Sequence, residues 1–251
     1  MVKIFIITHQ QTPALNNNLY IPLQVGSNHE IFKGILNDHT GDHIAEKNKN
    51  FCELTAAYWI SKNYDEADYI GLCHYRRYFN FYKNPLSLKP STQKKITEGT
   101  FKKSKLYKIA PEKQEQLILD IFKSYDVILP VSYDLGISLS ENYAIGHQKE
   151  DFDLTKQIIL EKYPEYESSI EKYLNRESKF YVANMLITSK KIWQAYYKWL
   201  FDILFELEKR ISIPEDSYQA RIFGFISERL TALYFQHHNF KIKETPLYKI
   251  I

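Results

Sequence analysis

Residues 68–79, DYIGLCHYRRYF, set the reading of the whole chain. The first half is a short apolar run with β-forming residues, Tyr69, Ile70, Leu72 and Cys73, behind acidic punctuation at Asp65, Glu66 and Asp68. A run of that length and boundary predicts a buried strand. The second half, His74-Tyr75-Arg76-Arg77-Tyr78-Phe79, sets an imidazole, two guanidiniums and three aromatic rings just beyond the strand's C-terminal end. Open α/β sheets bind their ligands outside that end. Adjacent arginines there suit a phosphate, because each guanidinium offers phosphate oxygens a fixed fork of donors. A surface arginine pair with its aromatic neighbours turned into the core fits the same spacing, so spacing alone does not decide.

Working upstream, residues 2–8 (VKIFIIT) read as a central parallel strand that ends in Thr8-His9-Gln10, where a base and ribose would lie. A long loop with Pro13 and Pro22 leads to LQVGSN at 23–28, with Gly26 as a turn residue. The polar segment 37–50 runs into a helix carried by Phe51, Leu54, Ala57 and Tyr58, with Asn48 or Asn50 as N-cap. Strand, helix and the strand at 68 make a βαβ-like beginning.

Downstream the chain turns basic. In residues 82–111, Lys83, Lys89, Lys94, Lys95, Lys102, Lys103, Lys105 and Lys108 face one acid, Glu98, with Pro85, Pro90 and Gly99 as breakers. This is either a solvated loop or a basic flap that meets a diphosphate or acidic lipid headgroups. A helix over 114–124 and a strand over 126–131, ended by Pro130, follow. Residues 132–148 read as a loop carrying Glu141 and His147, and 150–163 as a helix stopped by Pro164. A strand over 181–188 (YVANMLIT) feeds an amphipathic helix over 190–210, whose stripe of Trp193, Tyr196, Leu200, Leu204 and Leu207 is core. The last helix, 218–237, holds Glu228 and Arg229 in an apolar run. Charges there must be paired or functional, since stripping them of water costs several kcal/mol. The tail from Lys241 reads as a short strand.

Composition narrows the class. With 251 residues, 44% hydrophobic and 25% charged, the chain suits one soluble α/β domain. A net charge of +3 is too small to argue for nucleic acid. Two cysteines without paired spacing, Cys52 and Cys73, point to a reducing compartment. No apolar stretch has the length of a membrane span. The expected location is cytoplasmic, at most peripheral on the inner face of the membrane.

The segments YIPLQVG, DHTGDHIAEKN, FCELTAAYW, GLCHYRRYF, NMLI, WLFDILFELEKR and RIFGFISERL, in this order, resemble the DUF4422 family of bacterial polysaccharide-biosynthesis glycosyltransferases over nearly the whole chain. The resemblance implies a single GT-A-like (Rossmann-like) α/β domain over 1–251, a central mixed, mostly parallel sheet flanked by helices. Residues 1–80 would be its nucleotide-binding part, 82–111 the flap and 114–251 the acceptor side. It also implies a UDP-sugar donor and a lipid-linked capsule or O-antigen glycan as acceptor, with galactose, pyranose or furanose, as the hexose moved. Where GT-A enzymes carry an Asp-x-Asp metal motif, this sequence reads His74-Tyr75-Arg76. Two carboxylates beside a diphosphate need Mg²⁺ or Mn²⁺ between them, and a guanidinium does not. Each charge-assisted bond to phosphate contributes about 1.5–3 kcal/mol. No metal is therefore expected, with Arg76 or Arg77 as the clamp on the leaving diphosphate. A metal on His74 with His9, His39 and His43 is the alternative, although their spacing carries no ligand signature.

On the same mapping Thr8, His9, Gln24, Val25 and Gly26 line the nucleotide and Asn48 the ribose, while His74, Tyr75, Arg76 and Arg77 hold the diphosphate. His147, Asn184, Met185 and Arg229 complete the substrate side. An inverting transfer needs a carboxylate base. Glu228 leads, unless it forms a structural pair with Arg229; Asp42 and Glu53 are alternatives, and Glu53 also suits orienting a loop or binding ribose. A retaining mechanism would need no such base. Two rival functions stay open. A nucleotidyltransferase would want a Gly-rich phosphate loop, which THQQTPALN does not offer. The other is a non-catalytic basic module on membrane or nucleic acid.

Overall fold

A computed structural model describes residues 1–9, 14–26, 34–82 and 92–251. Gln10, Pro13, Asn28, Lys83, Pro85, Lys89 and Pro90, named above, lie outside the described residues. The strands in chain order are β1 (Val2–Thr8), β2 (Tyr20–Gln24), β3 (Leu36–Asn37), β4 (Tyr69–His74), β5 (Arg77–Phe79) and β6 (Gln93–Ile96). They continue with β7 (Val127–Pro130), β8 (Tyr133–Asp134), β9 (Lys179–Phe180), β10 (Leu186–Ser189), β11 (Ile242–Thr245) and β12 (Leu247–Ile250). The main sheet runs β11-β7-β10-β4-β1-β2-β3. β1 to β4 are mutually parallel, β10 is antiparallel to both β4 and β7, and β11 is parallel to β7. β4 reverses through Tyr75-Arg76 into β5, and β12 inserts between β5 and β6. A mixed, mostly parallel sheet flanked by helices is what the sequence led us to expect.

The period of two along a strand divides the core. Phe5, Ile7, Ile70, Leu72, Val127 and Leu129 join the larger cluster, with Trp193, Tyr196 and Leu200 from the helix Lys190–Glu208 and Leu230 from the helix Ile222–His237. Ile4, Ile6, Cys73 and Ile128 face the smaller one, with Phe101, Leu106 and Ile118. Gly71 sits mid-sheet in β4 because a Cβ there would lie 2.8 Å from Ile187 and 3.1 Å from Ile4, its two cross-strand neighbours.

Several local expectations change. The strand expected over 181–188 exists only as β10, because Ala183 (φ 71°) and Asn184 (φ 47°) are successive left-handed residues, which no ladder accepts. The loop expected over 132–148 contains the helix Leu139–Gly146, started by a capping box between Ser138 and Glu141. The described part of 82–111 is folded rather than a loose flap. It holds β6 and two short helices capped by Thr97 and Ser104, with Phe101 and Leu106 wholly buried and Phe101 stacked 4.8 Å from Tyr78. Neither Asn48 nor Asn50 caps the helix that follows. Asn48 opens a short helix, Asn48–Phe51, which Cys52 (φ 53°) breaks before Leu54–Asn63 begins.

Candidate active site

β1, β2 and β4 run in one direction and end together at Thr8, Gln24 and His74. A cavity of about 1020 Å³ opens there. One part of its wall is neutral: Ile7 and His9 at the end of β1, Val25 after β2, and Asn48. Beside it, the His9 and Tyr75 rings meet edge-to-face at 5.5 Å and the Arg76 guanidinium lies 5.2 Å over Tyr75. Burial lowers the His9 pKa, and neighbouring His74, Arg221 and Arg76 add to the effect, so the imidazole is held neutral.

A second part is cationic. Strand register sets Lys249 directly beside Arg77 on one side and Lys95 on the other. Side chains so paired stand about 5 Å apart on one face of a sheet, where like charges destabilise it. All three line the cavity with Arg76, and Lys49 and Arg221 add two more cations. Among the described residues no carboxylate pairs with Arg76, Arg77, Lys95 or Lys249, and the buried Arg77 Nε has no acceptor at all. An anion set against such a row would relieve that repulsion.

The third part carries the acids, Glu53 and Glu228, built around Ala183 and Asn184. The Ala183 N–H donates to Glu228 Oε1, and the Ala183 carbonyl accepts from His74 Nε2 at 2.8 Å. A carbonyl only accepts, so Nε2 carries a proton, and burial lowers the imidazole pKa while Glu53 and the Ala183 carbonyl oppose the shift. Asn184 fixes the left-handed turn. Its Nδ2 donates to Glu53 Oε1 (2.8 Å) and the Gly224 carbonyl (3.2 Å), and its Oδ1 accepts from Ser227 Oγ (2.9 Å). Burial raises the Glu228 pKa to about 7 and Glu53 adds to this, while the Ala183 amide, Arg229 and Arg77 oppose it. The Glu228 side chain keeps 20% of its surface accessible, and it lines the cavity.

Residues 3–239 match the family described as a domain of unknown function, DUF4422. The chain belongs to the DUF4422 family. No curated protein matches it. Among solved structures, this DUF4422 chain is similar to one described as the bifunctional glycosyltransferase WbbM in its apo form. The two share 31% identity with a TM-score of 0.86, over 99% of this chain and 45% of the other. The chain thus spans less than half the length of that relative.

Of the residues singled out from sequence, the DUF4422 fold brings His9, Val25, Asn48, Glu53, His74, Tyr75, Arg76, Arg77 and Glu228 to the lining of one cavity. Others are placed elsewhere. Thr8 and Gln24 are buried register partners in β1 and β2, behind the wall. Gly26 (φ 72°) sits under Asn48, whose Oδ1 lies 2.3 Å from where a Cβ would stand. Asp42 is on the surface, accepting from Tyr58 (3.0 Å) beside Lys62 (3.8 Å). Asn184 and Met185 are buried beneath the wall, Asn184 orienting Glu53 and Met185 packing in the smaller core. His147 lies off the cavity, stacked on Phe225 at 4.2 Å. Arg229 is structural. It donates to the Phe225 carbonyl (2.9 Å) and Asn142 (2.7 Å), spreads over the Phe180 and Tyr143 rings, and approaches Glu228 only to 3.7 Å. Among the described residues no three His, Cys, Asp or Glu side chains converge on a cation position. Sequence reading missed Lys49, Lys249, Arg221 and Ala183 on the wall.

Proposed function

We propose that this chain is a nucleotide-sugar-dependent glycosyltransferase domain. It moves a hexose, galactose as pyranose or furanose, from UDP to a lipid-linked glycan, without a bridging cation. The observation that carries this reading is the row Arg77–Lys249–Lys95, cationic, unpaired and set beside a neutral pocket at the strand ends. The likeness to a glycosyltransferase over 99% of the chain supports it.

In this reading the uridine lies against Ile7, His9, Val25 and Asn48, and the diphosphate against Arg76, Arg77, Lys95 and Lys249. The acceptor hydroxyl attacks the anomeric carbon and its proton passes to Glu228. The bond from that carbon to the diphosphate oxygen breaks, and the electron pair leaves on UDP, where the cationic row stabilises it as charge develops. Glu228 suits the part because a base works best with a pKa near the operating pH. Its Oε1 is engaged by the Ala183 amide, which leaves Oε2 for the proton. Among the described residues no helix is long and apolar enough to cross a membrane, so a lipid-linked acceptor would be met at the membrane surface.

The test is UDP titration by calorimetry, followed by donor turnover with and without EDTA. Saturable UDP binding and turnover that survives EDTA are expected. Turnover lost in EDTA and restored by Mn²⁺ would overturn the metal-free step, and absence of UDP binding would overturn the reading itself.

A further inference from the structure

At about 1020 Å³ the cavity reaches the upper end of pockets that take one small ligand, which leaves room for a second substrate. Part of its rim has no role in holding a donor. Ser217 and Arg221 line the cavity, and between them Tyr218 is 55% exposed. The segment carrying this ring is held firmly. Asp216 Oδ1 accepts from the amides of Tyr218 (3.1 Å) and Gln219 (2.8 Å). Gln219 donates through Nε2 to the Gly146 carbonyl (2.9 Å), while its Oε1 meets His147 Nδ1 at 2.8 Å. The Tyr218 ring packs on Phe225 at 5.0 Å and lies near-parallel to His147 at 6.2 Å.

Ordering a large side chain while more than half of it stays in water forgoes the burial that normally offsets the ordering, about 25 cal/mol per Å² of apolar surface. A ring backed in this way offers an exposed face to a ligand. A sugar ring fits its chemistry, because it sets an apolar C–H face against an aromatic face while its hydroxyls stay solvated or reach polar neighbours such as Ser217. Position then selects which sugar. Phe225 and Glu228 lie three residues apart on one face of the helix Ile222–His237, which Arg221 precedes. Phe225 precedes Glu228 by three residues, roughly 5 Å along that axis, and the Tyr218 ring lies a further 5.0 Å from the Phe225 ring. The Tyr218 ring thus stands outward of the carboxylate by a helical turn and a ring stack, roughly 10 Å in all, beyond the unit that carries the reacting hydroxyl.

We propose that Tyr218, backed by His147, Phe225 and Gln219, is an acceptor subsite for the second sugar ring of an oligosaccharide, counted from the reacting hydroxyl. This rests on the glycosyl-transfer reading above. The test is initial-rate kinetics and saturation-transfer NMR with a panel of methyl monosaccharides and disaccharides at saturating UDP-sugar, in wild type, Tyr218→Ala and Tyr218→Phe. Tyr218→Ala is expected to raise KM for disaccharide acceptors about tenfold, with kcat, thermal midpoint and UDP affinity unchanged. Monosaccharides should be indifferent to the change, and Tyr218→Phe should restore the disaccharide KM. An unchanged disaccharide KM, or equal losses for mono- and disaccharides, overturns the subsite. Loss of UDP affinity in Tyr218→Ala assigns the ring to the donor base and overturns it too. A wild-type chain that binds UDP and transfers to water alone leaves the transfer reading standing and removes the subsite.

Discussion

Two walls of one cavity handle charge in opposite ways. On the β5–β12–β6 side, ordinary strand register lines up three cations that form no ion pair among the described residues. Around Ala183, an irregular backbone holds Glu53, Glu228 and His74 in a network where hydrogen bonds engage all three side chains. On the proposed reading the first wall is completed by the diphosphate of the donor. The second keeps its charge inside and tunes it. A residue's role therefore follows from which wall holds it: losses on the cationic wall should appear as binding, and losses around Ala183 as turnover or stability.

The largest effect expected is at Glu228. Glu228→Gln keeps an acceptor for the Ala183 amide but cannot take a proton, so turnover should fall by about 10²–10⁴-fold while calorimetry finds UDP affinity unchanged. Weakened UDP binding would move Glu228 to the other wall. The wild-type rate should also rise with pH through about 7, as Glu228 ionises. Linkage has the reverse sense. A carboxyl raised by burial contributes stability that is full below its ordinary value of 4.5 and lost above about 7. Urea unfolding of wild type against Glu228→Gln across that window should show the difference.

Next comes Arg77→Ala, which removes the half-buried guanidinium from the row. UDP affinity should fall about 10- to 100-fold, in line with ~1.5–3 kcal/mol for a charge-assisted bond. Binding that survives with normal salt dependence would show that the row does not face the diphosphate.

A smaller effect belongs to the backbone. Asn184→Ala removes three hydrogen bonds and places alanine at φ 47°, whereas Asn184→Gly removes the bonds alone. Urea unfolding should find the alanine variant less stable than the glycine variant by about 1 kcal/mol. Equal stabilities would mean that the turn is not strained. The smallest is Lys249→Glu, which should raise the thermal midpoint by a few degrees, since it relieves repulsion worth about 0.2–1 kcal/mol, while weakening UDP binding. A change of the same sign in both would erase the contrast between the walls.

Much of the sheet and its helices was legible because period and length are local properties. The strand ending at His74 and the helices Lys149–Lys162 and Lys190–Glu208 fell within a few residues of expectation. The site was legible only in pieces. Arg76, Arg77 and Glu228 drew attention by chemical type, whereas Lys249 becomes a wall residue through a strand pairing remote in sequence from Arg77, which no local pattern encodes. The left-handed turn at Ala183 was hidden inside YVANMLIT, a run that reads as strand on composition. Only its asparagine, a residue tolerant of positive φ, gave a sign.

β12 has a consequence for how this protein comes into being. It enters between two strands laid down far earlier, so a ribosome-bound chain with everything up to β11 already emerged would still present Arg77 and Lys95 on separate, unjoined edges. Long-range pairings of this kind form slowly. If the row holds a donor diphosphate as proposed, that anion site is completed only at this late docking step.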